Sequence, residues 1–217
     1  MKKLLVAIAL AGLASTASAT ITGSKHDFTD NGLPVGVDGR AGQICIYCHT
    51  PHGTNPADPS LPLWNRAYSA TKTYTPYLAA NLQSGHAVLA SNFSPGTRAC
   101  LSCHDGSMTD VSIVYFNNQM DISTGALSVV GLDVLGTDLS NDHPIGMLYA
   151  SPQMITPGQY KAKPTTLPFF TSAGVVDNAA GFMQCSSCHE VHNQFNATFI
   201  LRQSNQGSQL CLLCHDK

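Results

Sequence analysis

The sequence predicts a fold of mostly loops, with short helices around four cysteine motifs, few short strands and no long secondary-structure element. Two observations favour this class. The 217 residues include 18 glycines and 12 prolines, and stretches such as HTPHGTNPADPSLPLW (49–64) are too densely punctuated for long helices. All eight cysteines occur in four copies of one short pattern, which predicts four local helical turns.

The repeated pattern is C-x-x-C-H. Motifs 1 to 4, in chain order, consist of Cys45, Cys48 and His49; Cys100, Cys103 and His104; Cys185, Cys188 and His189; and Cys211, Cys214 and His215. C-x-x-C-H attaches c-type haem, because the two thiols bond to the haem vinyl groups and the histidine binds iron as proximal ligand. Zinc sites, disulfides and redox dithiols also use paired cysteines, but they do not need a histidine after each pair. The sequence therefore predicts four covalently bound c-type haems.

The haems also bear on the fold. A loop-rich chain of this length buries little core by itself. Four flat apolar porphyrins would supply that core, so the predicted fold class is a multihaem cytochrome c built around its haems. Two apolar segments, Val111–Phe116 and Ala126–Leu135, are possible strands.

The N-terminal segment has the layout of a secretory signal peptide. Lys2 and Lys3 precede an apolar run, and an A-x-A pattern ends at Ala19. An uncleaved anchor is the alternative, but the apolar run is too short to cross a bilayer. We expect cleavage of residues 1–19 and a single tetrahaem domain at 20–217, with a compact two-haem module at 185–217. No later stretch is long and apolar enough to span a membrane. From the signal peptide we expect a secreted protein at an extracellular or cell-surface location, with the periplasm as the alternative.

The charge of the mature chain argues against nucleic acid as a partner. Without Lys2 and Lys3 it carries 9 basic and 13 acidic residues, a net charge of −4. Charged residues make up only 11% of the sequence, against about 25% in typical soluble domains. Such a surface suits either burial against a partner or another copy, or a monomer covered by neutral polar residues.

Five further histidines are candidates for the second axial position of the irons: His26, His52, His86, His143 and His192. Four irons need four of them, which predicts low-potential bis-histidine haems and one spare histidine. The five methionines of the mature chain would then pack rather than bind iron: Met108, Met120, Met147, Met154 and Met183. Because no iron keeps an open position for substrate, electron transfer is favoured over an enzymatic reaction.

His52 and His192 each follow a proximal histidine by three positions, in C-H-T-P-H and C-H-E-V-H. Residues at this spacing share one face of a helical turn, so neither can reach the opposite side of its own motif's haem. Each should bind a neighbouring haem, the alternative being a surface histidine. His26 and His143 lie in turn-like segments from which a side chain can reach an iron. His86 lies in a semi-apolar stretch and is the predicted spare.

Several segments of the chain carry a family resemblance: GSKHDF, CIYCHTPH, LWN, CLSCHDG, NDHPIG, CSSCHEVHN and LCLLCHDK. Together they resemble exported multihaem c-type cytochromes with doubled C-x-x-C-H motifs from metal-reducing bacteria. The strongest similarity is to tetrahaem extracellular cytochromes that polymerise into conductive filaments, or nanowires (the OmcE type). It extends from His26 to Lys217.

The resemblance implies stacked haems along a fibre, with subunits joined partly by a histidine that binds a haem of the next subunit. It makes His52 the candidate inter-subunit ligand and assigns His26, His143 and His192 to haems within the subunit. The expected partners are further copies of the chain, other multihaem cytochromes and extracellular electron acceptors. A discrete periplasmic or outer-surface electron shuttle is the alternative, followed by a small haem oxidoreductase with one open iron.

Overall fold

A computed structural model of the chain describes residues 21–27, 44–49, 61, 63–64, 72–77, 88, 90–106, 134–149, 160–177, 179, 181–195 and 198–216. All four motifs lie within these ranges. The predicted signal peptide, His52, His86 and the possible strand Val111–Phe116 lie outside them. Met108, Met120 and Met154 also lie outside.

The helices in this part of the chain are short. There are two α-helices, α1 (Pro95–His104) and α2 (Cys185–Cys188), and several single-turn 3-10 helices. The 3-10 helices are Ile44–Tyr47, Ala90–Asn92, Thr198–Ile200, Gln206–Ser208 and Cys211–Leu213. Strands β1 (Met147–Leu148) and β2 (Phe182–Met183) form a two-stranded sheet. For the described residues, mostly loops with a few short helices and strands is therefore confirmed.

Helix α1 begins and ends at recognisable capping residues. The Ser94 side chain accepts a hydrogen bond from the Thr97 backbone N–H at 3.3 Å, and Pro95 occupies the start of the helix, where no N–H is needed. At the other end, the Asp105 N–H donates to the Leu101 carbonyl at 2.9 Å. The helix therefore stops directly after the histidine of motif 2.

The second possible strand, Ala126–Leu135, is described only at its end, and that end forms no strand. Instead, the Leu135 and Gly136 backbone N–H groups donate to the His104 carbonyl at 2.7 and 3.3 Å. This end of the segment satisfies the carbonyl at the end of α1, which has no partner within the helix. Residues 126–133 lie outside the described residues, so the strand prediction is corrected only at residues 134 and 135.

Strands β1 and β2 pair antiparallel, with Met147 opposite Met183 and Leu148 opposite Phe182. Phe170 also pairs with Phe182 through two backbone hydrogen bonds of 3.1 and 2.7 Å. These pairings bring the segment just before motif 3 against two distant parts of the chain.

Two apolar clusters make up the described core. The first contains Val88, Met147, Tyr149, Leu167, Phe169, Met183 and Cys214. The second contains Tyr74, Phe93, Leu101 and Leu139. Met147 and Met183 are 6% and 5% exposed, so both pack in the first cluster. Within the described residues, no helix has the length and apolar character needed to cross a membrane.

Candidate haem-binding sites

Each motif folds as a tight turn that ends at its histidine. In motifs 1, 3 and 4, the histidine backbone N–H donates to the carbonyl of the first cysteine, at 2.8, 3.0 and 2.9 Å. Motif 2 forms the last part of α1. A helical turn places residues three apart on one face, so the two thiols of a motif can bond to the same porphyrin edge.

The thiols are available for covalent attachment. None of the eight cysteines forms a disulfide, and only Cys214 is buried, at 8% exposed. Burial raises the pKa of the Cys188 thiol to about 11, and it also raises the pKa of Cys214. Neither thiol therefore ionises near neutral pH.

Motifs 2 and 3 are joined by a buried glutamine that precedes α2. The Gln184 side-chain oxygen accepts from the Thr97 hydroxyl at 2.7 Å and from the Ser94 N–H at 3.2 Å. Its amide nitrogen donates to the Asn92 carbonyl at 2.7 Å. Helices α1 and α2 consequently pack together. A hydrogen bond between Cys100 and Cys185 raises the pKa of the first thiol and lowers that of the second.

Motifs 3 and 4 are held by hydrogen bonds to their backbone carbonyls. The Arg202 side chain donates to the Ser186 carbonyl at 2.7 Å, and its backbone N–H donates to the Cys188 carbonyl at 2.8 Å. The Cys214 carbonyl accepts from the Lys161 N–H at 2.8 Å and from the Tyr149 hydroxyl at 3.3 Å. The protein therefore fixes these turns with contacts outside the motifs.

Three motif histidines each face one of the other candidate histidines. The ring centroids of His26 and His104 are 6.0 Å apart, with ring planes at 49°. For His49 and His192 the values are 6.2 Å and 18°, and for His143 and His215 they are 6.4 Å and 88°. All three described candidates thus face a motif histidine.

This spacing fits a six-coordinate iron. An imidazole nitrogen binds a metal at about 2 Å, and the ring centroid lies about 1 Å behind that nitrogen, so two rings across one iron are separated by about 6 Å. Aromatic rings in direct contact have centroids about 4.5–7 Å apart, so the observed separations lie in the upper part of that range. In the described part of the chain, no three or more His, Cys, Asp or Glu side chains form a group that could hold a metal.

The histidine of motif 3 differs from the other three. No described histidine faces His189 in this way, and its ring Nδ1 lies 3.1 Å from the Phe199 carbonyl. A carbonyl only accepts, so Nδ1 carries the proton and Nε2 remains available for iron. The two candidates outside the described residues are His52 and His86.

His192 has a carboxylate partner that the sequence interpretation missed. Its Nδ1 lies 2.9 Å from Glu190 Oε1. Burial alone raises the pKa of Glu190, but the backbone hydrogen bonds from Gln194 and His192 and the His192 side chain together lower that pKa. The sequence carries a signal for this contact in C-H-E-V-H, where an acidic residue stands between the two histidines.

Four C-x-x-C-H turns, three of them with a histidine that faces a second histidine, form the kind of site that binds c-type haem covalently. Residues 178–217 match the family model described as Doubled CXXCH motif, and this match supports a multihaem c-type cytochrome. The match covers motifs 3 and 4. No curated protein matches the chain.

Proposed function

We propose that this protein is an electron carrier that holds four c-type haems, each with two histidines on its iron. The carrying observation is the set of three histidine pairs at 6.0–6.4 Å, since each pair joins one motif histidine to one other histidine. The proposed ligand pairs are His104 with His26, His49 with His192, and His215 with His143.

Haem iron supplies one-electron redox chemistry at each site. The chain contributes covalent anchoring through its cysteines and fills both axial positions with imidazole. Filled axial positions leave no place for a substrate at these irons, which favours electron transfer over catalysis. Imidazole on both sides also favours a low reduction potential compared with a methionine ligand.

The motifs are close enough together to support transfer between sites. A hydrogen bond joins Cys100 of motif 2 to Cys185 of motif 3, and His192, just after motif 3, faces His49 of motif 1. Cys214 of motif 4 packs in the same buried cluster as Met183, two residues before motif 3. Motif 3 is therefore the common neighbour of the other three.

Mass spectrometry and electronic spectroscopy of the exported holoprotein test this proposal. We expect four covalently attached haems and low-spin spectra in both redox states. A high-spin haem that binds carbon monoxide in the native assembly would favour the oxidoreductase alternative instead.

We further propose that the protein is secreted, after removal of residues 1–19, and polymerises into a filament that conducts electrons to external acceptors. His52 of one copy would complete the iron of His189 in the next. Support comes from the family resemblance, from the low share of charged residues, 11% of the sequence, and from three exposed apolar residues that follow His189 in the chain. These residues, Val191, Phe195 and Phe199, are 39%, 52% and 77% exposed.

Electron microscopy of native material separates the filament from the discrete shuttle. We expect filaments from the wild type and tetrahaem monomers from His52→Ala, each monomer with one high-spin haem. His86→Ala is the matched control and should still form filaments. Discrete wild-type particles with four low-spin haems would support the shuttle and exclude the inter-subunit role of His52.

A further inference from the structure

We propose that Glu190 positions His192 and lowers the reduction potential of the iron shared by His49 and His192 below that of the His143–His215 site. This inference rests on the proposed electron-carrier function. It concerns the hydrogen bond between Glu190 and His192, and Glu190 acts through His192 rather than by touching the iron.

Glu190 is held firmly in place by the backbone around it. The residue is 8% exposed, and its two carboxylate oxygens accept backbone N–H groups from His192 at 3.2 Å and Gln194 at 3.0 Å. Its own backbone N–H donates to the Ile200 carbonyl at 2.7 Å. The carboxylate is therefore fixed before it meets any ring.

The same carboxylate fixes the tautomer of His192. Oε1 lies 2.9 Å from Nδ1, and an ionised carboxylate only accepts hydrogen bonds, so the proton must be on Nδ1. The other ring nitrogen, Nε2, is left as the iron ligand. This is the nitrogen needed at a site where the His49 ring lies 6.2 Å away.

The distal histidine of the comparison site has a weaker acceptor. Nδ1 of His143 lies 3.2 Å from the Pro144 carbonyl, a neutral group. Hydrogen bonds to a charged acceptor are shorter and roughly twice as strong as those between neutral groups. A stronger acceptor at Nδ1 makes Nε2 a better electron donor, which stabilises oxidised iron and lowers the potential.

One nearby cation acts on Glu190. The charge of Arg202 interacts with Glu190, while burial lowers the pKa of the guanidinium. Arg202 donates its Nε–H to the Ser186 carbonyl at 2.7 Å. Its effect on the iron is through space, whereas Glu190 acts through a direct bond to a ligand, and this difference can be tested with separate variants.

The two C-H-x-x-H segments differ at this position. Motif 3 continues as C-H-E-V-H with Glu190, whereas motif 1 continues as C-H-T-P-H with Thr50. Of these two segments, only C-H-E-V-H has a carboxylate between its histidines. A carboxylate can therefore bond to the second histidine from within the segment in C-H-E-V-H, but not in C-H-T-P-H.

Glu190→Gln tests the inference, because the amide keeps the shape and an acceptor oxygen but removes the charge. The readout is EPR of the holoprotein poised at a series of potentials. Near-parallel imidazole planes, as in His49–His192 at 18°, give a rhombic low-spin signal, whereas near-perpendicular planes, as in His143–His215 at 88°, give a strongly anisotropic one. The two sites can thus be followed separately.

In the wild type, we expect the rhombic signal to appear at lower potential than the strongly anisotropic signal. In Glu190→Gln, the ratio of reduced to oxidised iron at the His49–His192 site should rise about tenfold at fixed potential, or about 59 mV for one electron. The His143–His215 signal should not move. Glu190→Asp should retain part of the wild-type difference, because it keeps a carboxylate.

Asp216→Asn is the matched control. Asp216 follows His215 in motif 4 and is exposed, so the variant removes one negative charge beside a proximal ligand without changing a contact at His192. We expect a smaller shift there, and none at the His49–His192 site. Four low-spin haems with an unmoved rhombic signal in Glu190→Gln would overturn the inference but leave the proposed function standing. Fewer than four attached haems in the wild type would overturn the function itself.

Discussion

Motifs 2 and 3 lie on two α-helices that pack against each other, whereas motif 1 lies on a single 3-10 turn, Ile44–Tyr47. Gln184 hydrogen-bonds to residues at the start of α1, and the two helices pack directly. The described ring contacts of His49 are with Trp64 and His192, each at 6.2 Å between centroids. The second of these separations has room for an iron between the rings.

The difference indicates that motifs 2 to 4 are held by packing and hydrogen bonds of the polypeptide, whereas the position of motif 1 depends more on its haem. Around motifs 2, 3 and 4, buried side chains and backbone hydrogen bonds form a body that we define as residues 90–106, 145–149, 160–177 and 181–216, within the described ranges. His49 of motif 1 faces His192, which lies on that body. Substitutions in the body should therefore change global stability, whereas loss of motif 1 should mainly remove one redox site.

The largest effect is expected from Phe169→Ala. Phe169 is 0% exposed, and its ring lies 5.4 Å from that of Tyr149. Loss of the ring leaves a cavity, so the free energy of unfolding of the holoprotein should fall by about 3–5 kcal/mol. Guanidinium titration followed by circular dichroism measures this. Phe199→Ala, at a residue 77% exposed, should change it by about 0.5 kcal/mol or less. Equal losses in the two variants would contradict the described core.

A smaller effect is expected from Gln184→Leu at the junction of α1 and α2. Leucine has a similar size but cannot hydrogen-bond, so Thr97, Ser94 and Asn92 would lose their bonds to the side chain. Buried unpaired groups cost about 1–3 kcal/mol of unfolding free energy. Gln209→Leu, at an exposed glutamine, is the control and should be nearly neutral. If both variants behave alike in the same titration, the junction is not held by this side chain.

The local features of the fold could be predicted from the sequence, but its long-range pairings could not. C-x-x-C-H is a local pattern, and Ser94 and Pro95 mark the start of α1 within two residues. Strands β1 and β2 have two residues each, too few to show any alternation of apolar and polar positions. Their pairing of Met147 with Met183 depends on loops that follow no periodic rule.

The candidate iron ligands could also be predicted from the sequence, whereas their arrangement in space could not. The sequence predicts which histidines are available, but the approach of His26 to His104 or of His143 to His215 depends on the fold. The role of Glu190 was missed because it needs a hydrogen bond to be seen, and sequence spacing alone places Glu190 and Thr50 in equivalent positions. Redox tuning is therefore harder to predict than haem attachment.

The smallest effect on the body is expected from the double variant Cys45→Ser and Cys48→Ser. It removes the covalent anchor of motif 1, so mass spectrometry should show three attached haems instead of four. Because motif 1 lies outside the body, the hydrogen bonds of Gln184 stay in place, and the free energy of unfolding of the body should change by less than the roughly 1–3 kcal/mol expected for Gln184→Leu. The rhombic EPR signal should disappear at the same time, since His192 loses the iron that it shares with His49. A loss of several kcal/mol would mean that the motif 1 haem, and not only the polypeptide, holds motifs 2 to 4 together.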